Sequence, residues 1–395
     1  MTSIIKWKSH INNKNTGTTE NPENTENPDP QSDLITLLSY NILADAHMQS
    51  NLWLYKECEP QSLIHANRFG LILNAILEAN PDILFLQEVQ ANSMKNYFYF
   101  YHNVDEIRKF LSTELNHNCF YSQRPNADGF PGKSPDGCML SYNQDRFMAF
   151  QINPDSETCT FSSKLDYSKN CPLPGTSDNT GLVIVLQDLE NMDKFIIAGN
   201  THLVYSPNRG HIKLWQVTRL VQEILRLKNY LMVDHGIEEK NVSIVFGGDM
   251  NSTLSSPVCK FLTESVAVDM ERISLKEFSG QKRDKAKTPK VIMDSVKQIS
   301  GNSGGGMIVM PFQSESQPNI IESEFKFDRV YGVAENSRNY TTFGRKFVDH
   351  LFCDNVVVAK ELKVPVLKED RTIDVMPSDV HGSDHVPIGM QFRYK

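Results

Sequence analysis

The polar residues able to do chemistry in this 395-residue chain recur at one kind of place. Asn41 closes the apolar run LITLLSY, Gln87 and Glu88 close DILFL, Asn200 and His202 close KFIIAG, and Asp249 and Asn251 close SIVFG. Asp349 lies within KFVDHLF, and Asp384 and His385 stand just before VPIGMQF. Carboxylates and side-chain amides are oxygen donors of the kind that hard divalent cations take, and a histidine near an aspartate can move a proton or donate a charged hydrogen bond. Singly, each has an ordinary explanation: a solvated strand-end glutamate, a turn asparagine, an interior histidine with a backbone partner, or a capping pair. Their joint occurrence at five or six successive strand ends is what points to a site, because rigid strands with converging loops are where α/β proteins assemble one.

The elements that must position these residues follow from the apolar pattern. LITLLSY (34–40), DILFLQEV (82–89) and SIVFGGDMN (243–251) read as buried strands. LVIVLQD (182–188) and KFIIAGNTH (194–202) read as a hairpin around a turn at 190–193. Ile64 to Ala79 carries Ile72, Ala75, Ile76 and Ala79 at helical spacing and stops at Asn80-Pro81. His211 to Leu227 is the clearest amphipathic helix, with Leu214, Val217, Val221, Ile224 and Leu225 on one side. Strands alternating with helices or long loops imply one α/β domain, a four-layer sandwich of two packed mixed sheets flanked by helices, over residues 33–395. Two segments stand apart: an Asn/Thr/Pro-rich tail, 1–32, too poor in apolar residues to offset its ordering entropy, and a polar insertion at about 276–316 with a basic run at 281–290.

Composition narrows the class. There are 40 Lys plus Arg against 48 Asp plus Glu, a net charge of −8, which argues against a binder that works by bulk positive charge. It does not argue against an enzyme whose acids hold metal. No run approaches the 18 apolar residues of a membrane-spanning helix. The seven cysteines include no C-x-x-C pair and read as reduced thiols, the pattern of a cytoplasmic or nuclear protein.

In order, SYN, LQEV, NTH, GDMNS, VDH and SDH resemble the endonuclease/exonuclease/phosphatase superfamily of metal-dependent phosphoesterases. YNILAD (40–45), NPDILFLQEVQ (80–90), KSPDGCML (133–140), THLVYSPNRGHIKLWQ (201–216) and GGDMNSTLSSPVCKFL (247–262) are most similar to its carbon-catabolite-repressor and nocturnin deadenylase branch, and there to the angel proteins. The leucine-rich repeats of the repressor-type members are absent. The resemblance implies Mg²⁺, with Mn²⁺ as a substitute, held by Glu88, Asn41 and Asp384. It implies Asp249 as the group that positions and deprotonates the attacking water, with Asn251 fixing that water in line. His385, paired with Asp349, would donate to a phosphate oxygen, and Asn200 and His202 would contact the scissile phosphate.

Lys133, Arg209 and Lys213 are the cations nearest these motifs and read equally as RNA-backbone contacts or as solvated surface charges. Trp53 and Tyr55 read as base-stacking or core residues, and Asp136-Gly137-Cys138 as a turn into a strand or, by resemblance, the border of the nucleotide pocket. The activity implied is a 3′-to-5′ exoribonuclease of the deadenylase type acting on RNA 3′ ends, with removal of a 2′,3′-cyclic phosphate as a close variant of the same site. A phospholipid-headgroup phosphoesterase ranks lower because no membrane-binding segment is visible. A catalytically silent binder ranks lower because every motif residue is present.

Overall fold

A computed structural model describes residues 5–9, 33–91, 104–125, 136–150, 162–167, 178–264, 268–269, 320–321, 326–331, 341–342, 346–363 and 375–395. The first half of the chain runs β1 (Trp7–Ser9), β2 (Ile35–Asn41), α1 (Asp45–Ser50), α2 (His65–Ala79), β3 (Ile83–Gln90), α3 (Val104–Glu114), β4 (His117–Gln123) and β5 (Asp136–Asn143). It continues through β6 (Phe147–Ala149), β7 (Ser162–Asp166), β8 (Thr180–Asp188), β9 (Phe195–His202), α4 (Gly210–Asp234), β10 (Val242–Asp249) and α5 (Pro257–Thr263). The short pair β11 (Val268–Asp269) and β12 (Ile320–Ile321) precedes β13 (Asp328–Arg329), β14 (Asp349–Asp354), β15 (Val356–Leu362) and β16 (Ile388–Tyr394).

Strand parity explains the layers. In β2, Ile35 and Leu37 join one core while Leu38 and Tyr40 join another; in β3, Ile83 and Phe85 part in the same way from Leu84 and Leu86. The second sheet repeats the division, with Ile184, Ile196, Ala198 and Val245 facing inward and Val183, Val185, Ile197 and Ile244 packing on α4 and α5. Successive side chains leave a strand on opposite faces, so strands buried on both sides become the continuous apolar runs seen in the sequence. Three cores between four layers result: α2 and α3, sheet β1-β15-β16-β2-β3-β5-β4, sheet β13-β14-β10-β9-β8-β6 with β7 beside β8, and α4 and α5.

Two parallel pairings gather the polar strand ends. β2 and β3 are parallel with α2 in the crossover, β9 and β10 are parallel with α4 in the crossover, and every other pairing in the two large sheets is antiparallel. Each crossover returns the chain to the same edge of its sheet, so four strand ends carrying polar residues meet at one rim. The α2 helix stops where expected: Asn80 takes a left-handed φ of 42° and its N–H bonds the Ile76 carbonyl, with Pro81 next. The α4 helix runs on to Asp234, past the expected Leu227, because Leu231 continues the buried stripe.

The front of the tail departs from the expectation of disorder. Trp7–Ser9 pairs antiparallel with Leu362–Lys360, and Ile5 is buried in the outer core beside Leu38, so this short apolar start caps the sheet edge. Residues 10–32 and the 276–316 insertion, with its basic run, lie outside the described residues. Among the described residues, no helix is long and apolar enough to cross a membrane, and the five cysteines are free thiols.

Candidate active site

Parity also aims the site residues. Asn41 follows Ile35 and Leu37 on the inward face of β2, His202 follows Ile196 and Ala198 on β9, Asp249 follows Val245 on β10, and Asp349 precedes Leu351 and Cys353 on β14. All four therefore project into the layer between the sheets, at its rim. Glu88 has the wrong parity, since Leu84 and Leu86 face the helices. A bulge corrects it: the pairing of β3 with β5 shifts register between Leu86 and Val89, and Glu88 takes a φ of 59°. Such a conformation costs a non-glycine residue about 1–3 kcal/mol and is typical of a position where the side chain's direction matters.

The Asn41 amide joins the two sheets, donating to Glu88 Oε1 and to Asp249 Oδ2 at 3.1 Å each, while its own oxygen accepts from the Leu43 N–H. The second Glu88 oxygen accepts from the Ala44 N–H at 2.9 Å. Burial opposes the charge of Glu88, but the His47 imidazolium and this N–H outweigh it and hold the carboxyl below its usual range. Asp384 arrives on the loop before β16. Ser383 Oγ donates to the Asn41 carbonyl at 2.7 Å, and the fully buried Arg68 donates to the Gly382 and Leu43 carbonyls and to Asp45. Gly382 has no room for a side chain, since a Cβ there would meet the Arg68 carbonyl oxygen. The Tyr55 hydroxyl donates to Asp384 Oδ2 at 2.9 Å, and burial together with the nearby Glu88 charge raises the Asp384 pKa.

Asp249 is the hub of the other half. Its Oδ1 accepts from the Asn251 N–H at 2.8 Å; around Oδ2 stand the Asn41 amide, His202 Nε2 at 3.5 Å and His385 Nε2 at 3.8 Å. Asp349 lies directly opposite in the β10–β14 register and accepts from His385 Nδ1 at 2.9 Å. Burial and the Asp349 charge push Asp249 up to about 7, against the pull of His385. Burial opposes protonation of His385, yet Asp349 prevails and keeps the ring cationic well above the usual histidine range. Burial and the Arg124 guanidinium take His202 down to about 4, leaving a neutral imidazole whose Nδ1 has no hydrogen-bond partner.

Four carboxylates, Glu88, Asp249, Asp349 and Asp384, thus gather at one rim, linked through Asn41 and His385. A divalent cation suits this donor set, which is rich in hard oxygens and too acidic to be stable in its fully ionised form. One oxygen each from Asp249 and Asp349 lies within 4.8 Å of a His385 nitrogen, a spacing that could itself hold an ion. There the 2.9 Å hydrogen bond of a protonated ring already accounts for the approach. Glu88, with Asn41 and Asp384 near it, is the more oxygen-rich place.

Three of the expected substrate contacts fare differently. Asn200 sits on the inward face two residues below His202; its amide donates to the Leu86 and Met139 carbonyls of the other sheet at 2.9 and 2.7 Å, and its oxygen accepts from Gln87. It is wholly buried and ties the sheets together, so it does not reach a phosphate. Lys213 is also wholly buried, because the first turn of α4 points it inward at the Asn251 carbonyl, 2.6 Å away; neither the RNA-contact nor the solvated reading holds for it. Arg209 is exposed in the turn Pro207–Arg209 that leads into α4. Lys133 lies outside the described residues.

The structure also gives places to residues outside the expected metal and catalytic set. Tyr55 is buried in a small core with Leu43 and Met48, as its core reading had it, and its hydroxyl also holds Asp384, whereas Trp53 is largely exposed. Asp136 opens β5 and pairs with Arg124 Nε at 2.8 Å and His47 Nε2 at 3.3 Å. Burial opposes the His47 charge, but Glu88 and Asp136 push the ring up to about 9. Strand parity would have predicted that Asn200 is deep; nothing local marks His47 or Arg124, whose partners lie far away in sequence.

Two stacked mixed sheets with this acid, amide and histidine–aspartate set at one rim define a phosphoester hydrolase. The chain belongs to the Endonuclease/Exonuclease/phosphatase family, whose family model matches residues 38–385. It is 33% identical over 250 residues to Protein angel homolog 2 of Bos taurus, covering 63% of this chain and 40% of that protein. It is 26% identical over 388 residues to Carbon catabolite repressor protein 4 homolog 3 of Arabidopsis thaliana, covering 91% and 75%. The chain thus spans about two fifths of the angel homologue it matches. Among solved structures, ANGEL2, described as a 2′,3′-cyclic phosphatase, in complex with adenosine-2′,3′-vanadate, superposes with a TM-score of 0.71 at 23% identity, covering 99% and 98% of the two chains. The human Nocturnin catalytic domain with bound sulfate gives 0.53 at 17%, covering 92% and 95%.

Proposed function

We propose that this protein is a Mg²⁺-dependent phosphoesterase of RNA 3′ ends, and that it removes terminal 2′,3′-cyclic phosphates. The observation that carries the reading is the position of Asp249, a carboxylate near neutral pKa set between a neutral histidine and a cationic one. A base with such a pKa can take a proton from water at physiological pH. The Asp249 carboxylate would accept that proton while the Asn251 side chain, held by its bond to the Leu203 carbonyl, borders the water. His385, kept cationic by Asp349, would donate to a non-bridging oxygen as charge builds on phosphorus, and His202 would face the same group from β9. Glu88, Asn41 and Asp384 would hold the cation, which supplies charge neutralisation at the phosphate and the leaving oxygen.

In a cyclic phosphate both leaving oxygens stay on the ribose: one water opens the ring to a monoester, a second releases inorganic phosphate, and the chain stays intact. The preference for this substrate over exonucleolysis rests on the angel relatives and the ANGEL2 likeness. The repressor-type relative, aligned over most of the chain, supports the exonuclease as the second reading. The test is to incubate the protein with Mg²⁺ and two labelled RNAs, one ending in a 2′,3′-cyclic phosphate and one in a 3′-hydroxyl poly(A) tail, beside Asp249→Ala. Release of phosphate from the cyclic end without shortening supports the first reading, and progressive shortening of the tail supports the second. No metal-dependent product from either RNA would overturn both.

A further inference from the structure

A lysine amine that reaches neither solvent nor substrate needs a reason to be buried. Lys213 is fully enclosed, and burial brings its amine down to about 7 against the attraction of Asp249. If the position asked only for packing, a methionine or leucine of similar volume would serve without the desolvation cost. What the lysine adds is a donor, aimed at the carbonyl oxygen of Asn251 from 2.6 Å, and it remains a donor in either protonation state.

The recipient is an unusual stretch of backbone. Gly248, still paired within β10, has a φ of 127°, and Asn251, just past the strand end at Asp249, has one of 46°, so two left-handed positions flank the carboxylate. Asn251 is pinned at three points: its N–H to Asp249 Oδ1, its side-chain amide to the Leu203 carbonyl, and its carbonyl to Lys213. The next carbonyl, that of Ser252, accepts from His350 Nε2 at 2.8 Å, and His350 is the neighbour of Asp349. The turn is therefore clamped between α4 and β14, and the Asn251 N–H that orients the Asp249 carboxylate is one of its peptide groups.

We propose that Lys213 is a positioning residue for the water-activating carboxylate: by holding the Asn251 carbonyl, it keeps the turn in the left-handed conformation through which Asp249 is aimed. The inference rests on the proposed role of Asp249. It assigns the GHIKL block of α4 to the reaction through geometry, without any contact to RNA.

The test uses the full chain carrying Lys213→Met, with the oligonucleotide ending in a 2′,3′-cyclic phosphate as probe. The expected result is a fall in kcat of about 10- to 100-fold with KM within about twofold, the cost of a small misplacement of a reacting group. In Lys213→Ala, added ethylamine should restore part of the rate, whereas the same amine should do nothing for Asn251→Ala. A Lys213→Met enzyme with unchanged melting temperature and wild-type kcat, or one changed in KM alone, would overturn the proposal. Should the wild type not act on this oligonucleotide, the substrate reading fails by itself, and crystal structures of the two Lys213 variants decide the inference. Asn251 is expected to leave its left-handed φ in both; a turn superposable on that of the wild type would refute it.

Discussion

Asp349→Asn is the perturbation whose consequences the geometry fixes most tightly. Asparagine keeps the shape of the side chain and can still accept from His385 Nδ1, now 2.9 Å from a carboxylate oxygen, but it removes the charge. Two groups depend on that charge, and both should move the same way. His385 is cationic because Asp349 outweighs the burial of the ring, so without Asp349 its pKa falls toward or below the ordinary 6.5. Asp249 stands at about 7 because burial and the facing Asp349 repel its ionisation; wherever His385 is still charged, its pKa falls too. In the proposed mechanism the rate needs Asp249 ionised, so it rises as pH passes the Asp249 pKa. It also needs His385 protonated, so it falls as pH passes the His385 pKa. Both limbs shift to lower pH, and the optimum moves acidward. At about pH 8 the variant would lack the proposed charged donor to the transition state, a loss of roughly 10²- to 10³-fold by comparison with removal of an oxyanion-hole donor. Near pH 6 the deficit should shrink to about tenfold or less. The assay is kcat/KM against the cyclic-phosphate oligonucleotide from pH 5.5 to 9 at saturating Mg²⁺. A uniform loss with an unmoved optimum, or no loss, would refute the assignment of His385 and Asp349 as a charged pair.

Other consequences concern the supports. Tyr55→Phe removes the hydroxyl that donates to Asp384, a hydrogen bond to a carboxylate worth about 1.5–3 kcal/mol. Mg²⁺ affinity by titration calorimetry should weaken by roughly 10- to 100-fold with the fold intact, and unchanged affinity would remove Asp384 from the metal set. Asn200→Ala removes three buried hydrogen bonds, those to the Leu86 and Met139 carbonyls and that from the Gln87 amide, which keeps Ser39 Oγ as a second acceptor; the two carbonyls lose a donor at about 1–3 kcal/mol each. Urea unfolding should show a loss of several kcal/mol while KM holds steady; a raised KM at full stability would revive the phosphate-contact reading. His117 and His350 are held neutral, each lowered by burial to about 4. A depressed pKa contributes stability that is complete above about pH 6.5 and is lost as pH falls through 4, about 3 kcal/mol for each ring. Equal unfolding midpoints at pH 7 and pH 4.5 would contradict this.

What the sequence revealed and concealed divides along a physical line. Buried strands, the α2 stop at Asn80-Pro81 and the α4 stripe are local, and the apolar period alone locates them. The pairing of His385 with Asp349 was expected from family resemblance, and the antiparallel register of β10 with β14 places Asp249 against Asp349 as well. Residue type misled where depth mattered. An asparagine two residues before a strand end and a lysine in the first turn of a helix look like surface groups, yet the closure of one sheet on the other buries both. Glu88 is the opposite case, a residue whose parity points to the wrong core until a bulge turns it. No alternation of apolar residues encodes that bulge. It becomes visible only as a slip in pairing between strands that are distant in sequence.

The same contrast decides how to read the net charge of −8. Acids concentrated at one rim make a strong local negative field, which by itself would repel RNA. The structure sets positive groups against that field from both sides, His385 beside Asp249 and Asp349, and His47 with Arg124 beside Glu88 and Asp136. Each of these cations is already matched by a carboxylate, so on the proposed mechanism an added divalent charge would supply most of the net attraction for phosphate, with His385 giving a directed hydrogen bond. If RNA ends are the substrate, as proposed, affinity for them should then depend on the metal far more than on the protein's overall charge.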